Sequence, residues 1–144
     1  MYEFLDREAS DVMSRPVTIQ PGATIAEAEA LFEQYGFNLL PVVDEDAELI
    51  GVVTSLDLLR AFDFPEDDIL PRFDEVMKWT VGKIANENPR TITPRTPLAR
   101  VIRKMVESGS KSFPVVEGRR LVGVVAREDL MNALRRTSGS EPAP

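Results

Sequence analysis

GVVTSLD, residues 51–57, returns as GVVARED, residues 123–129. The correspondence extends in both directions: VTIQP (17–21) answers RTITP (90–94), LLPVVD (39–44) answers SFPVVE (112–117), and LIGVV (49–53) answers LVGVV (121–125). The offset is 73 residues for the early matches and 72 for the last, so the second copy has lost one residue in the hairpin between its strands. Ordered matches over so long a period mark each copy as a supersecondary block, and one such block seldom buries its apolar face alone. Two copies are therefore expected to pack on each other.

Each copy reads as β-α-β-β-α. A short extended run (17–19, 91–93) leads through proline to a helix that starts at Thr24 or Thr96. Thr24 with Glu27 has the T-x-x-E form of a capping box, and Pro97 after Thr96 suits the first helical position. Ile25, Ala28, Leu31, Phe32 and Tyr35 fall on one helical face, as do Leu98, Val101, Ile102 and Met105, with Gly36 and Gly109 as the stops. The runs LLPVV and ELIGVV, joined by the turn 44–47, read as two strands whose continuous apolar residues suit burial on both faces. In the second copy the turn tightens around Gly118. A second helix, 55–62 or 127–134, closes each block.

Between the blocks, residues 61–80 form a connection longer than most in a compact domain. Pro65 and Pro71 break it, and DEVMKW has the composition of a short helix. Ile69, Leu70, Phe73, Val76, Met77 and Trp79 are too apolar for an idle tether and are expected to pack over the repeat interface or a dimer seam. The resulting division is 1–62 for the first repeat with its N-terminal segment, 63–80 for the linker, 81–136 for the second repeat and 137–144 for a disordered tail.

Composition narrows the chemistry. Apolar residues at 43% and charged residues at 28% are ordinary globular values. No apolar run approaches the roughly 20 residues that a membrane span needs, and the charged N-terminus is unlike a secretory signal, so a soluble, cytoplasmic protein is expected. With neither cysteine nor histidine, the thiolate nucleophile and the commonest general base and metal ligand are missing. No catalytic residue, catalytic cofactor or metal site is expected.

The net charge of −7 is unevenly distributed. Residues 1–72 hold 16 acidic against 4 basic residues, net −12, and residues 73–144 hold 8 against 13, net +5. A net acidic chain is a poor nonspecific binder of nucleic acid, because neutralisation of phosphates by Lys and Arg supplies most of that affinity. Uneven charge suits unlike halves facing each other, a small anion on the basic half, or simply a solvated surface.

Thr54 and Asp57 satisfy a T-x-x-D capping box at the mouth of the second helix, which explains both without any ligand. Gly51 then marks a strand position that another backbone or a ligand approaches closely. The alternative uses the same geometry for a nucleotide: helix N–H groups and a threonine hydroxyl for phosphate, and a carboxylate for the two ribose hydroxyls. In the second copy Ala126 removes the threonine while Asp129 stays, an argument that Asp129 is kept for more than capping.

The doubled β-α-β-β-α pattern, with P-V-V-D/E, then G-V-V, then T-x-x-D, resembles a tandem pair of cystathionine-β-synthase (CBS) domains, a Bateman module, over roughly residues 9–136. The resemblance implies an α/β (α+β) fold in which two repeats pack about a pseudo-two-fold axis. It implies binding of an adenosine-containing ligand (AMP, ADP, ATP or S-adenosylmethionine) in clefts between the repeats, and a disk-like homodimer. By position it assigns Asp57 to ribose hydroxyls, Thr54 to phosphate, and Leu40, Pro41, Val12 and Met13 to the wall against adenine. Thr96 of the other repeat adds to the phosphate end. In the second cleft it assigns Asp129 and Pro114, while Ala126 departs from the pattern and Lys111 and Arg127 are the cations available in compensation.

The function implied is a non-catalytic sensor, for example of cellular energy state, that signals through a conformational shift to a separate effector protein. The alternative is a ligand-free dimerisation or protein-interaction module. An enzyme using Asp57 or Asp129 as base is disfavoured because neither has an evident partner to raise its pKa.

Overall fold

The computed structural model describes residues 2–64 and 73–140. They form two compact units that do not coincide with the two sequence repeats: unit 1 comprises residues 1–16 and 90–144, and unit 2 comprises residues 17–89. Residues 1–16, which precede the first repeat in sequence, cluster with the second, whose backbone and side chains they contact.

Unit 2 begins with an extended segment whose Ile19 pairs in parallel with Val42. Helix α2 (Ile25–Tyr35) follows, its first turn capped by the Thr24 hydroxyl, which accepts from Glu27 N–H at 3.1 Å. Gly36, at φ +67°, ends the helix in the left-handed conformation that glycine adopts without strain. Strands β1 (Leu39–Val43) and β2 (Leu49–Thr54) form an antiparallel hairpin. Pro41 accepts from Ile19 N–H through its carbonyl, but it has no N–H with which to extend the parallel ladder. Helix α3 (Ser55–Ala61) closes the repeat.

The connector then returns to the same unit. Helices α4 (Phe73–Met77) and α5 (Val81–Ile84) bring Val76 and Val81, both fully buried, into a core with Ile25, Ala28, Leu40, Val42, Val53 and Leu58. Beyond α5, Asn86 adds a rung to the free edge of β2, with paired N–H···O bonds to Val52 at 2.8 and 3.0 Å. Of the apolar connector residues, Val76 is in the core of unit 2 with Met77 and Trp79 packed against it, whereas Phe73 is exposed. Ile69 and Leu70 lie outside the described residues.

Unit 1 repeats this plan with a segment from the other end of the chain. Ile92 pairs in parallel with Val115, helix α6 (Leu98–Ser108) follows, and strands β3 (Ser112–Glu117) and β4 (Arg120–Ala126) form the hairpin. Helix α7 runs from Arg127 to Ser140, so residues 137–140 of the expected disordered tail are helical; residues 141–144 lie outside the described set. The role played by the connector in unit 2 falls to helix α1 (Tyr2–Asp6) and a 3-10 turn at Ala9–Asp11. Phe4 and Ala9 are buried with Leu98, Val101, Phe113 and Leu130, and Ser14 adds the edge rung to Val124 of β4.

Two details depart from the sequence expectation. The residue equivalent to Thr24 is Pro97, which occupies the N-cap, so α6 starts at Leu98 and Thr96 sits outside it. Arg7 supplies the carbonyl that accepts the first helical N–H, from Leu98 at 2.8 Å. Strand β4 alternates buried and half-buried residues, unlike the nearly continuous burial of β1 and β3. The lost hairpin residue is visible in the register: Val43 faces Leu49, whereas Val116 faces Leu121.

Candidate functional site

Each unit places one carboxylate where its hairpin strand becomes a helix. In unit 2 the box at the β2–α3 junction is complete. Asp57 Oδ2 accepts from Thr54 N–H at 2.8 Å and from the Thr54 hydroxyl at 2.9 Å, while the same hydroxyl accepts from Asp57 N–H at 3.1 Å. Thr54 is thereby engaged as both donor and acceptor, and it can donate to a phosphate only by leaving the box. Among the described residues, Asp57 Oδ1 meets only the largely exposed Arg60 guanidinium, at 3.5 Å. That long surface contact leaves Oδ1 with acceptor capacity.

The β4–α7 junction of unit 1 keeps half of this box. Asp129 Oδ2 accepts from Ala126 N–H at 2.8 Å, the equivalent of the Thr54 bond. Asp129 therefore has a capping role even without a threonine, and the argument that its retention requires more than capping does not hold. Its second oxygen differs: Oδ1 accepts from the Ser14 hydroxyl at 2.7 Å. Asn86, at the same place in unit 2, instead folds its side-chain oxygen onto Asn88 N–H at 3.0 Å.

The remaining assigned residues are distributed differently from the expectation. Val12 and Met13, assigned beside Asp57, are half-buried in unit 1 and precede the Ser14 rung beside Asp129. The residues that hold this place with Asp57 are Ile84 and Ala85, which the sequence reading missed. Their signal is the apolar pair before a polar residue, Val12-Met13-Ser14 and Ile84-Ala85-Asn86. Leu40 has no exposed surface and packs in the core of unit 2, so its side chain cannot be a ligand wall. Pro41 and Pro114 are also buried, each offering its carbonyl to the parallel segment, Ile19 or Ile92.

Thr96 is 7% exposed, and its hydroxyl accepts from Thr93 N–H at 3.0 Å and pairs with the Thr93 hydroxyl at 3.1 Å. It shapes a turn instead of capping α6. Arg127 donates to the carbonyls of Gly109 and Ser110 at 3.1–3.4 Å, satisfying the C-terminal end of α6. Its guanidinium is thus committed, whereas Lys111 is exposed.

The two glycines of the repeated motif are explained by close approach. A Cβ on Gly51 would lie 2.7 Å from the Asn86 carbonyl oxygen, and one on Gly123 would lie 2.6 Å from the Met13 sulfur. The edge segment crosses each strand there. Among the described residues, no helix is long and apolar enough to cross a membrane.

The CBS domain family model matches residues 9–63 and 81–136. A CBS domain-containing protein of Dictyostelium discoideum is 31% identical over 130 residues, covering 88% of each chain. The chain is also 31% identical over 122 residues to the L-aspartate semialdehyde sulfurtransferase of Methanocaldococcus jannaschii, spanning 83% of its own length but only 22% of that enzyme. Among solved structures, the CBS domain pair of protein MJ0100 in complex with 5′-methylthioadenosine and S-adenosyl-L-methionine aligns with a TM-score of 0.73 and 29% identity, over 93% of this chain and 98% of that one.

Proposed function

Because the chain belongs to the CBS domain family, we propose that it is a regulatory module that binds an adenosine-containing ligand, self-associates and passes a change in packing to a separate effector protein. The observation that carries this reading is the state of Asp57. Its carboxylate is held by Thr54 through one oxygen and, among the described residues, left open at the other apart from the 3.5 Å contact to Arg60. A fixed carboxylate with a free oxygen suits two vicinal hydroxyls, because it accepts both without reorganising. The ligands of the MJ0100 pair, 5′-methylthioadenosine and S-adenosylmethionine, share an adenosine with AMP, ADP and ATP. The proposed class is therefore adenosyl, with AMP, ADP or ATP as the leading members.

A ligand shifts packing only by its differential affinity for two arrangements, and that shift is what an effector would read. The module performs no reaction of its own in this reading. The second reading, a ligand-free dimerisation or interaction module, is favoured by the completeness of the Thr54–Asp57 box, which accounts for both side chains by capping alone.

Calorimetric titration of the protein with AMP, ADP, ATP, S-adenosylmethionine and 5′-methylthioadenosine separates the two. Binding of one or more, abolished in Asp57→Ala and weakened in Asp57→Asn, which retains an oxygen to cap Thr54 N–H, is the expected result. Absence of heat with all five ligands would assign the chain to the second reading.

A further inference from the structure

The hydroxyl missing at Ala126 reappears across the strand pair. In unit 2, Thr54 faces Leu39 in the register of the hairpin; in unit 1, Ala126 faces Ser112. Directly opposed residues of an antiparallel pair point to one face with their Cβ atoms about 5 Å apart. Ser112 therefore stands beside the position that the Thr54 hydroxyl fills in the other unit. Ser112 is 8% exposed, and its hydroxyl has no hydrogen-bond partner among the described residues. Solvent still reaches it, since among the described residues no fully buried polar side-chain atom is left unpaired. A hydroxyl confined in this way without a protein partner calls for one from outside.

Two further donors belong to the same junction. Asp57 N–H is capped by the Thr54 hydroxyl, but the equivalent Asp129 N–H has no side-chain acceptor among the described residues, because position 126 is alanine. It lies in the first turn of α7, a helix of 14 residues whose positive end is directed there. Lys111 is exposed, and its carbonyl accepts from Arg127 N–H at 3.0 Å, which sets its backbone against the start of α7. Unit 2 has Asn38 and Leu39 where unit 1 has Lys111 and Ser112. The acidic side chains of this turn are engaged: Asp129 accepts from Ala126 N–H and from Ser14, and Glu128 meets Arg135 at 3.4 Å. Unit 1 as a whole has 13 basic and 9 acidic residues, net +4, whereas unit 2 has 4 and 15, net −11.

We infer that the β4–α7 junction of unit 1 is a phosphate site whose donors are the Ser112 hydroxyl, the Asp129 N–H and the Lys111 ammonium. The two junctions then differ in kind. That of unit 2 offers an acceptor, Asp57 Oδ1, and its one hydroxyl is held inside the Thr54–Asp57 box. That of unit 1 offers donors, with the hydroxyl moved from β4 to β3, where no capping bond competes for it. A phosphate group brings three strong acceptor oxygens and negative charge, which a helix N-terminus with an adjacent cation favours. The group is carried by a nucleotide or taken free from solution, and the inference rests on the proposed function only for the first of these.

Amide spectra of the isotope-labelled full chain, titrated with AMP, 5′-methylthioadenosine and inorganic phosphate, test the site. AMP should shift the Ser112, Glu128 and Asp129 amides saturably. Shifts of the same amides by inorganic phosphate mark a site for the free anion, and shifts by AMP alone mark a phosphate recognised on its nucleotide. Ser112→Ala should weaken the phosphate-bearing ligand about tenfold, as for loss of a hydrogen bond to a charged group, and leave 5′-methylthioadenosine, which has no phosphate, unchanged. Ala126→Thr supplies Asp129 N–H with the hydroxyl that Asp57 N–H has, so it should raise the melting temperature and weaken the phosphate-bearing ligand. Unchanged affinity in both variants, tighter binding in Ala126→Thr, or equal weakening of 5′-methylthioadenosine would overturn the inference. If 5′-methylthioadenosine binds while neither AMP nor phosphate shifts the three amides, the inference falls and the proposed function stands. If phosphate shifts them and no adenosyl ligand binds, the site stands and the proposed function falls.

Discussion

The hydroxyl of Ser14 donates to Asp129 Oδ1 at 2.7 Å across 115 residues of sequence. The bond fixes one oxygen of the second junction carboxylate, whereas among the described residues the corresponding oxygen of Asp57 meets only Arg60. The two junctions are therefore unequal as acceptors. Ser14→Ala should lower stability by about 1 kcal/mol, as for loss of a hydrogen bond to a charged group that water partly replaces. It should also strengthen any adenosyl binding that depends on Asp129. Denaturant unfolding checks the first effect, and titration of the variant with and without Asp129→Asn checks the second.

Gly51 and Gly123 should tolerate a methyl group very differently. Alanine at 51 drives its Cβ into the Asn86 carbonyl oxygen at 2.7 Å, a backbone atom that accepts from Val52 N–H at 3.0 Å in a residue whose own N–H donates back to Val52. Alanine at 123 meets the Met13 sulfur and Cγ first, atoms that a rotamer change can move, although Met13 Cβ at 3.1 Å must also give slightly. Gly51→Ala should cost about 1–3 kcal/mol, as for an overpacked core site. Gly123→Ala should cost less, and Met13→Ala should remove most of that remainder. Equal midpoints for the two alanine variants in urea would contradict this account.

Ala47 carries φ +62° in the first hairpin, where the second hairpin has Gly118 at +61°. The left-handed conformation crowds a Cβ against the backbone, and glycine is free of that penalty. Ala47→Gly should therefore raise stability, by roughly 0.5 kcal/mol once the added flexibility of the unfolded chain is subtracted. Thermal unfolding of the pair of proteins reads the difference.

Phe4 lies in α1 yet is buried with the second repeat. Phe4→Ala should cost about 3–5 kcal/mol, and hydrogen exchange should locate the loss in residues 90–137 and not in residues 17–64. A uniform loss of protection, or one centred on the first repeat, would contradict the division of the chain into these units.

The repeat and the order of its elements were legible because they depend on local signals: two left-handed glycines ending α2 and α6, a T-x-x-D box at the β2–α3 junction, and apolar periodicity. What the sequence did not reveal is which segment seals which unit. Val12–Ser14 and Ile84–Asn86 have similar patterns, and nothing in either says whether it will bond Val124 or Val52. The choice is made by long-range backbone pairing. It put Val12 and Met13 in unit 1 and Ile84 and Ala85 in the equivalent position of unit 2. The burial of the Leu40 side chain was illegible for a related reason, since an apolar residue in a repeated motif reads alike whether it lines a ligand or fills a core. The contacts of Arg127 were not legible because a guanidinium near a helix start also reaches the carbonyls of a neighbouring helix end.

Unit 2 is continuous in sequence and is inserted into unit 1, whose parts lie on either side of it. On the ribosome the chain emerges from its N-terminus, and units fold as they become complete. Residues 17–89 are complete first. Residues 1–16 leave the tunnel before unit 2 does, yet Phe4, Ala9 and Ser14 lack these core and edge partners until α6, β3, β4 and α7 have followed. A segment made before unit 2 is thus folded after it. For most of synthesis it is an apolar-bearing arm exposed to chaperones and proteases, and substitutions there should change soluble yield during expression more than they change the equilibrium stability of the finished protein.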